Sequence, residues 1–555
     1  MRGLMQDSPL MISSILTFAA RHHARAEIVS KIGERSIHRY TYADAERRAR
    51  RLVRVLQRLG VKPGDRVGTM AWNSYRHFEL YFAVPGMQAV CHTINPRLSP
   101  DDIAYMIGHA EDKVLFVEPE FLPLLEQLSS RLRGVVEDIV VLHEAASIPA
   151  ALPDAGIRVH FYEVLMAEAD DGHRWPSFDE NAGAALCYTS GTTGRPKGVL
   201  YSHRSTVLHS YAINMTDVFA FRAVDRVMPV VPMFHANGWG IPHAAAMVGS
   251  TLVLPGRDLD GASLEWLMNS EQVTFSAGVP SIWLALLHYL RSSGKRIDTM
   301  QRIVVGGSAC PPILIEAFER EHGVHVDPAW GMTELSPVGG CNQATPSSRE
   351  LAGDELLKLR TKQGRCPYGI DMKIVDADGN ELRWDGKSFG NLLMRGPWVA
   401  SAYYRTTDSN PVNPEGWLFT GDVSTIDPDG FMEIVDRSKD LIKSGGEWIS
   451  SIALENVAVS HPDVLEAAIV AASHATWGER PVLVVTLKEG KALDKAGILA
   501  LYEDRVPKWW VPDDVVALDA LPHTATGKLN KLALRDRFRR HLIAADSCGG
   551  NDCRV

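Results

Sequence analysis

Between Tyr188 and Gly198 the chain reads Tyr-Thr-Ser-Gly-Thr-Thr-Gly-Arg-Pro-Lys-Gly. Gly191, Gly194 and Gly198 let a backbone turn tightly and come close to a ligand. Thr189, Ser190, Thr192 and Thr193 carry hydroxyls that donate to phosphate oxygens. Lys197 adds a mobile point charge. Together these residues suit a cradle for a polyphosphate. The pattern is not a Walker A loop, which runs G-x-x-x-x-G-K-[ST] directly into a helix. Here Lys197 lies between Pro196 and Gly198, and helix is disfavoured on both sides of it. By composition alone, a flexible turn is an equal alternative.

The elements that must hold such a loop are legible. Apolar runs at residues 227–232, 251–256, 273–280 and 302–307 end abruptly in Gly or Pro. Strands of this kind, buried on both faces, predict an α/β core. Ligands in such sheets bind beyond the carboxyl ends of the strands, where the unusual residues of this chain fall.

The order of residues in the loop resembles the phosphate-binding loop of the adenylate-forming superfamily: acyl-CoA synthetases, adenylation domains and luciferases. Its other signatures follow in order over roughly the whole chain. The second is Val230-Val-Pro-Met-Phe-His-Ala-Asn-Gly-Trp239. His235 stands at the mouth of a strand, and Trp239 matches an aromatic that gates the acyl tunnel in medium- and long-chain fatty acyl-CoA synthetases. In adenylation domains that activate amino acids, this region holds an aspartate for the substrate's ammonium. No carboxylate occurs here between Asp225 and Asp258, so an ammonium would be desolvated without a partner.

The third signature joins Gly306-Gly307-Ser308-Ala309 to Ala329-Trp330-Gly331-Met332-Thr333-Glu334. The resemblance gives the glycines and Trp330 to adenine, Thr333 to the α-phosphate, and Glu334 with Thr189 to Mg²⁺, a hard ion that prefers oxygen ligands. Asp422, in Thr420-Gly421-Asp422, matches the ribose clamp; a carboxylate accepts from both ribose hydroxyls. The run from Asp436 to Trp448 resembles the superfamily's hinge. There Arg437 would contact the nucleotide, Lys439 takes the hinge position, and Gly445 and Gly446 leave a narrow passage for pantetheine. Lys443 and Trp448 match positions near the nucleotide. Lys528, in Pro522-His-Thr-Ala-Thr-Gly-Lys528, matches the mobile catalytic lysine.

At 555 residues the chain exceeds a single core. We expect a large N-terminal domain of α/β subdomains over residues 1–436, a hinge at 437–441, a small mobile α+β domain at 442–545, and a disordered tail at 546–555. The formal net charge of −9 argues against non-specific nucleic-acid binding. Seven scattered cysteines suit free thiols in a reducing compartment, which points to the cytoplasm. No apolar run reaches a membrane span. Residues 9–20 read as an amphipathic first helix rather than a signal peptide, and peripheral membrane contact stays open.

The resemblance therefore implies a carboxylate–CoA ligase of the AMP-forming type. It would use ATP, Mg²⁺ and CoA and act on a medium- or long-chain fatty acid, with Lys197, His235, Glu334 and Lys528 as the catalytic set. A homodimer is implied by the same likeness. Three alternatives share the nucleotide signatures: an adenylation enzyme with another acceptor, a luciferase-like oxygenase, and an inactive binding protein of the same fold.

Overall fold

A computed structural model of the chain describes residues 1, 3–144, 156–189, 195–406, 411–445, 447–503, 505–523 and 529–543. They fall into two compact units. The first takes residues up to Thr189, Arg195–Asp371 and Arg395–Leu418; the second takes Met372–Met394 and the chain from Phe419 onward.

The first unit is built on two large sheets. One runs in the order Arg158–Phe161, Asp138–Val141, Asp112–Val117, Arg66–Met70, Val90–Thr93, Gly183–Tyr188, Gly198–Ser202. All neighbours are parallel except the last pair, which is antiparallel. The other sheet contains the four apolar runs picked out above, as Arg226–Pro229, Thr251–Leu254, Phe275–Gly278 and Arg302–Val305. These are mutually parallel neighbours in the sheet interior. Each strand stops earlier than its apolar run does, because the chain leaves the ladder to make other contacts. After Pro229, for example, the Asn73 side chain takes over: its amide donates to the carbonyls of Pro229 and Val231 at 2.8 and 2.9 Å, and its oxygen accepts from the Met233 N–H at 2.7 Å.

The first helix, Ile12–His22, buries Ile12, Ile15, Leu16 and Ala19 and leaves Phe18 outward. This i, i+3, i+4, i+7 stripe is that of an amphipathic core helix. No helix of the described residues is long and apolar enough to cross a membrane. The five described cysteines are all unpaired.

The first unit also buries several histidines. His77, His203 and His243 are each pushed down to about 4 by burial. His243 is 4% exposed, and its ring stacks on Tyr81 at 5.4 Å. A histidine held neutral in the fold but titrating near 6.5 when unfolded takes up a proton on unfolding. Its stability contribution is full above the unfolded pKa and is lost as pH falls toward 4. Replacing His243 by Phe, which can keep the stack, should therefore remove about one proton from the uptake measured calorimetrically on unfolding near pH ~5.5. Unchanged uptake would mean that His243 is already charged in the folded protein.

The second unit is α+β. Its four-stranded sheet orders Asp371–Val375, Phe389–Arg395, Leu418–Ile426 and Met432–Arg437, the last two antiparallel. Its other sheet places Glu447–Ile449, Ile442–Ser444, Gly478–Leu487 and Val464–His474 in line, with Asp514–Ala517 parallel to Gly478–Leu487. The helix Lys531–Phe538 is capped by the Asn530 side chain and buries Leu534 and Phe538, spaced i, i+4, on this sheet.

Candidate functional site

The loop from Thr189 to Lys197 joins two antiparallel strands whose last pair is Tyr188 with Gly198. Its base is closed twice: the Thr189 N–H donates to the Lys197 carbonyl at 2.9 Å, and the Lys197 N–H donates to Thr189 Oγ1 at 3.2 Å. Gly198 is bare for a steric reason. A Cβ there would stand 3.2 Å from each of the Leu186, Tyr188 and Tyr404 side chains. Ser190, Gly191, Thr192, Thr193 and Gly194 lie outside the described residues.

Lys197 does not stand alone. Its Nζ sits 4.7 Å from the centroid of the Tyr403 ring, and the Tyr403 hydroxyl donates to Glu334 Oε1 at 2.7 Å. Glu334 is only 6% exposed. Its backbone carbonyl accepts from the Ala400 N–H at 2.8 Å, and the preceding Thr333 carbonyl accepts from the Tyr201 hydroxyl at 2.6 Å. Burial, reinforced by the Glu334 carboxylate, raises the Tyr403 phenol well above its ordinary range, so it stays a donor. The result is a cation and a hard carboxylate joined through one aromatic ring at a strand exit. Thr333 and Glu334 occupy the tip of a hairpin between His325–Gly331 and Val338–Cys341. Trp330, half-buried on that hairpin, needs Gly339: a Cβ there would lie 2.4 Å from the indole.

The segment after His235 is unusual. Ala236, Asn237, Gly238, Trp239 and Gly240 have φ of 35°, 39°, 57°, 55° and 72°. Consecutive left-handed residues are costly for L-amino acids, so the surroundings must enforce them. The Ala236 N–H donates to Cys187 Sγ at 3.0 Å, and the Thr93 hydroxyl donates to Asn237 Oδ1 at 2.9 Å. Tyr81 donates to the Met233 carbonyl just upstream. This run aims the Trp239 indole at Gly306, where an added Cβ would meet Trp239 Cη2 at 2.7 Å and the Ala329 carbonyl at 2.9 Å. His235 is half-buried and extended at the head of the segment. Gly307 is left-handed at φ 85°, and Ser308 after it is exposed.

In the second unit Asp422 and Arg437 are cross-strand partners, and Arg437 Nε donates to Asp422 Oδ1 at 2.8 Å. Asp422 is 2% exposed, and its N–H donates to Thr420 Oγ1 at 3.1 Å. Lys443 and Trp448 are likewise paired, with Nζ 5.0 Å from the indole centroid. Gly445 has φ 60°, and a Cβ on it would reach the Trp477 ring at 2.9 Å. Burial lowers the pKa of the Lys439 ammonium. Gly446 and Lys528 lie outside the described residues. The sequence reading missed Asn73, Tyr81, Thr93, Tyr201 and Tyr403. Only the Tyr403-Tyr404 doublet offered a signal, and it belongs to no motif.

A family model described as AMP-binding enzyme matches residues 16–404, and one described as AMP-binding enzyme C-terminal domain matches 453–528. The chain is 47% identical to a 3-methylmercaptopropionyl-CoA ligase of Ruegeria lacuscaerulensis, over 97% of this chain and 99% of that protein. It is 45% identical to a medium-chain-fatty-acid–CoA ligase of Ectopseudomonas oleovorans, over 99% of both chains. The fold is similar to that of an anthranilate CoA ligase in complex with anthranoyl-AMP, with a TM-score of 0.84 and 24% identity over 98% of this chain and 100% of that one.

Proposed function

The chain belongs to the AMP-binding enzyme family, and from that premise we propose that it activates a medium- or long-chain fatty acid. The reaction is that of an acid–thiol ligase with two steps. The substrate carboxylate attacks the α-phosphorus of ATP, an acyl-adenylate forms, and pyrophosphate leaves. The CoA thiol, losing its proton, then attacks the acyl carbonyl, and AMP leaves with its oxygen.

The observation that carries the reading is the Lys197–Tyr403–Glu334 arrangement. In the first step charge builds on phosphoryl oxygens, and catalysis is mainly positioning and electrostatic stabilisation. Lys197 and Lys528 supply positive charge, and Thr189 and Thr333 supply hydroxyls. Glu334 and Thr189 would hold Mg²⁺, which when bound neutralises phosphate charge. The residues fit such an ion. Magnesium takes one or two protein carboxylates and fills its remaining positions with phosphate oxygens and water, and Glu334 offers one such carboxylate at 6% exposure. Asp422 serves the ribose hydroxyls, with Arg437 orienting its carboxylate. Trp330 and Gly307 serve adenine.

For the second step we take the hinge at residues 437–441, centred on Lys439, with Gly445 and Gly446 lining the pantetheine passage. The flanks of that segment are tied: the Ser450 hydroxyl donates to the Val435 carbonyl at 2.6 Å, the Ser451 N–H to Asp436 Oδ2 at 2.5 Å, and Arg535 pairs with Asp440 at 2.8 Å. A turn about Lys439 would exchange these contacts for others.

An apolar acid is favoured by the absence of any carboxylate between Asp225 and Asp258 and by Trp239 within the left-handed run. The test is the acid profile of Trp239→Ala. If Trp239 is a gate, kcat/KM for bulkier acids rises relative to shorter ones and the KM for ATP holds. If it is a packing residue, every acid falls together and the melting temperature drops, as expected for a cavity costing about 3–5 kcal/mol.

A further inference from the structure

The helix Lys531–Phe538 begins three residues past Lys528, and the chemistry above gives it no part. Its first residue, Lys531, is nonetheless a largely buried cation. The ammonium donates to Glu455 Oε1 and to Ser451 Oγ, each at 2.6 Å. Glu455 is fixed in turn, because the same oxygen accepts from the Ile469 N–H at 2.7 Å. Ser451 extends the contact: its own N–H donates to Asp436 Oδ2 at 2.5 Å, while the Arg437 N–H donates to Asp436 Oδ1 at 2.7 Å. One turn further along the helix, Arg535 pairs with Asp440 at 2.8 Å and donates to the Lys439 carbonyl. A single helix therefore takes hold of the chain on both sides of Lys439.

The charges around Lys531 do not balance. Glu455 alone neutralises its ammonium, and Asp440 is taken by Arg535. Asp436 adds a further carboxylate that is 1% exposed. Burying a carboxylate beyond those that a cation needs costs free energy. Burial accordingly pushes the Asp436 carboxyl up, and the Lys531 ammonium pulls it back. Chain order shows where such a group is useful. Asp436 precedes Lys439, whereas Ser451, Glu455 and Lys531 all follow it. The Asp436 contact therefore spans the pivot, and a turn at Lys439 separates the carboxylate from both Ser451 and Lys531. A buried contact that one conformer makes and the other gives up biases the equilibrium between them.

We propose that Asp436 is a positioning residue for the two-step reaction: its contact with Ser451 and, through it, with Lys531 latches the hinge in one of its two conformers. This rests on the ligase and hinge readings above. The latch sets how the protein is shared between adenylate formation and thioester formation.

The test uses Asp436→Asn in the full chain. The amide keeps the shape and can still accept from the Ser451 N–H, and Lys531 keeps Glu455, so no buried cation is stranded. Ser451→Ala is the second variant; it removes the Oγ bridge and keeps both charges. Pyrophosphate release without CoA and acyl transfer from synthetic adenylate to CoA are followed separately. Asp436→Asn should change the ratio of the two rates about fivefold or more, the size of a modest coupling between states. Ser451→Ala should move the ratio the same way by less. Both rates falling together with the melting temperature, or a ratio that stays at the wild-type value, would overturn the proposal. Hydrogen exchange read by mass spectrometry adds a measurement that needs no turnover. In Asp436→Asn, exchange should quicken at the start of the helix Ser451–Val459 and hold in the strand Val464–His474. Faster exchange in that strand as well, or no change in either element, would also overturn the latch. A protein that turns over no acid yet shows the local change keeps the contact across the pivot and loses the ligase reading, so the two failures are distinguishable.

Discussion

Lys528→Ala should lower acyl-adenylate formation about 10²–10³-fold, the effect of removing one preorganised transition-state contact worth about 3–4 kcal/mol. Thioester formation from pre-made acyl-adenylate should stay close to wild type. The asymmetry follows from the chemistry. Negative charge crowds the α-phosphate while the carboxylate displaces pyrophosphate, so a lysine that meets those oxygens then matters for that step. In the second step the thiol attacks the acyl carbonyl, charge grows on a different oxygen, and the same lysine is assigned no contact there. Lys528 is placed by its match to the family's mobile lysine; its described flanks, His523 and Leu529, pair across an isolated antiparallel bridge. Following pyrophosphate release and, separately, acyl transfer from synthetic adenylate to CoA reads both steps. Equal loss in both would remove Lys528 from its assigned role.

Glu334→Gln is expected to have the second largest effect, about a hundredfold loss in the first step with a higher Mg²⁺ concentration needed for half-maximal rate. The substitution preserves shape. The Tyr403 hydroxyl, which donates to Glu334 Oε1 at 2.7 Å, can donate equally to the amide oxygen, and the backbone contact to Ala400 is untouched. What disappears is one negative charge in a site that is 6% exposed, where charges are weakly screened. Tyr403→Phe is the control for packing and orientation. It removes a single hydrogen bond, worth about 1–3 kcal/mol when one partner is charged, and should slow the first step less than Glu334→Gln does. A Glu334→Gln enzyme with normal rate and normal Mg²⁺ dependence would show that the carboxylate is structural.

Much of the fold was legible because its signals are local. The strands Thr251–Leu254 and Arg302–Val305 are apolar on both faces and end at Gly or Pro, which suffices to predict parallel interior strands. The first helix was legible from its stripe of Ile12, Ile15, Leu16 and Ala19. So was the division into a large N-terminal and a small C-terminal domain, which the two matched family models share. Charge and paired glycines drew attention to residues 437–441, whereas compactness groups Met372–Met394 with the chain from Phe419 onward. Compactness depends on strand pairing between segments far apart in sequence, such as Asp422 with Arg437, and the turning of a hinge is a different property.

The site divides in the same way. Lys197 drew attention by residue type and neighbours, and Glu334 only by its match to the family's motif over Trp330–Glu334. Tyr403, which joins them, lies 69 residues beyond Glu334, and no spacing rule reaches that far. The left-handed run from Ala236 to Gly240 was illegible for a related reason. Local preference opposes φ of 35° at Ala236 and 55° at Trp239. Contacts from Thr93 and Cys187, both distant in sequence, enforce it.

The central claim is that one protein joins an acid to CoA through an acyl-adenylate. The most direct measurement incubates the chain with ATP, Mg²⁺ and each of a panel of saturated fatty acids, with and without CoA, and quantifies pyrophosphate, AMP and hydroxylamine-trapped acyl groups. The account predicts acid-dependent pyrophosphate release, a trappable acyl-adenylate when CoA is omitted, and stoichiometric AMP and acyl-CoA when it is added. Pyrophosphate release with no acid that yields a trappable acyl group, or formation of ADP and phosphate in place of AMP and pyrophosphate, would contradict it.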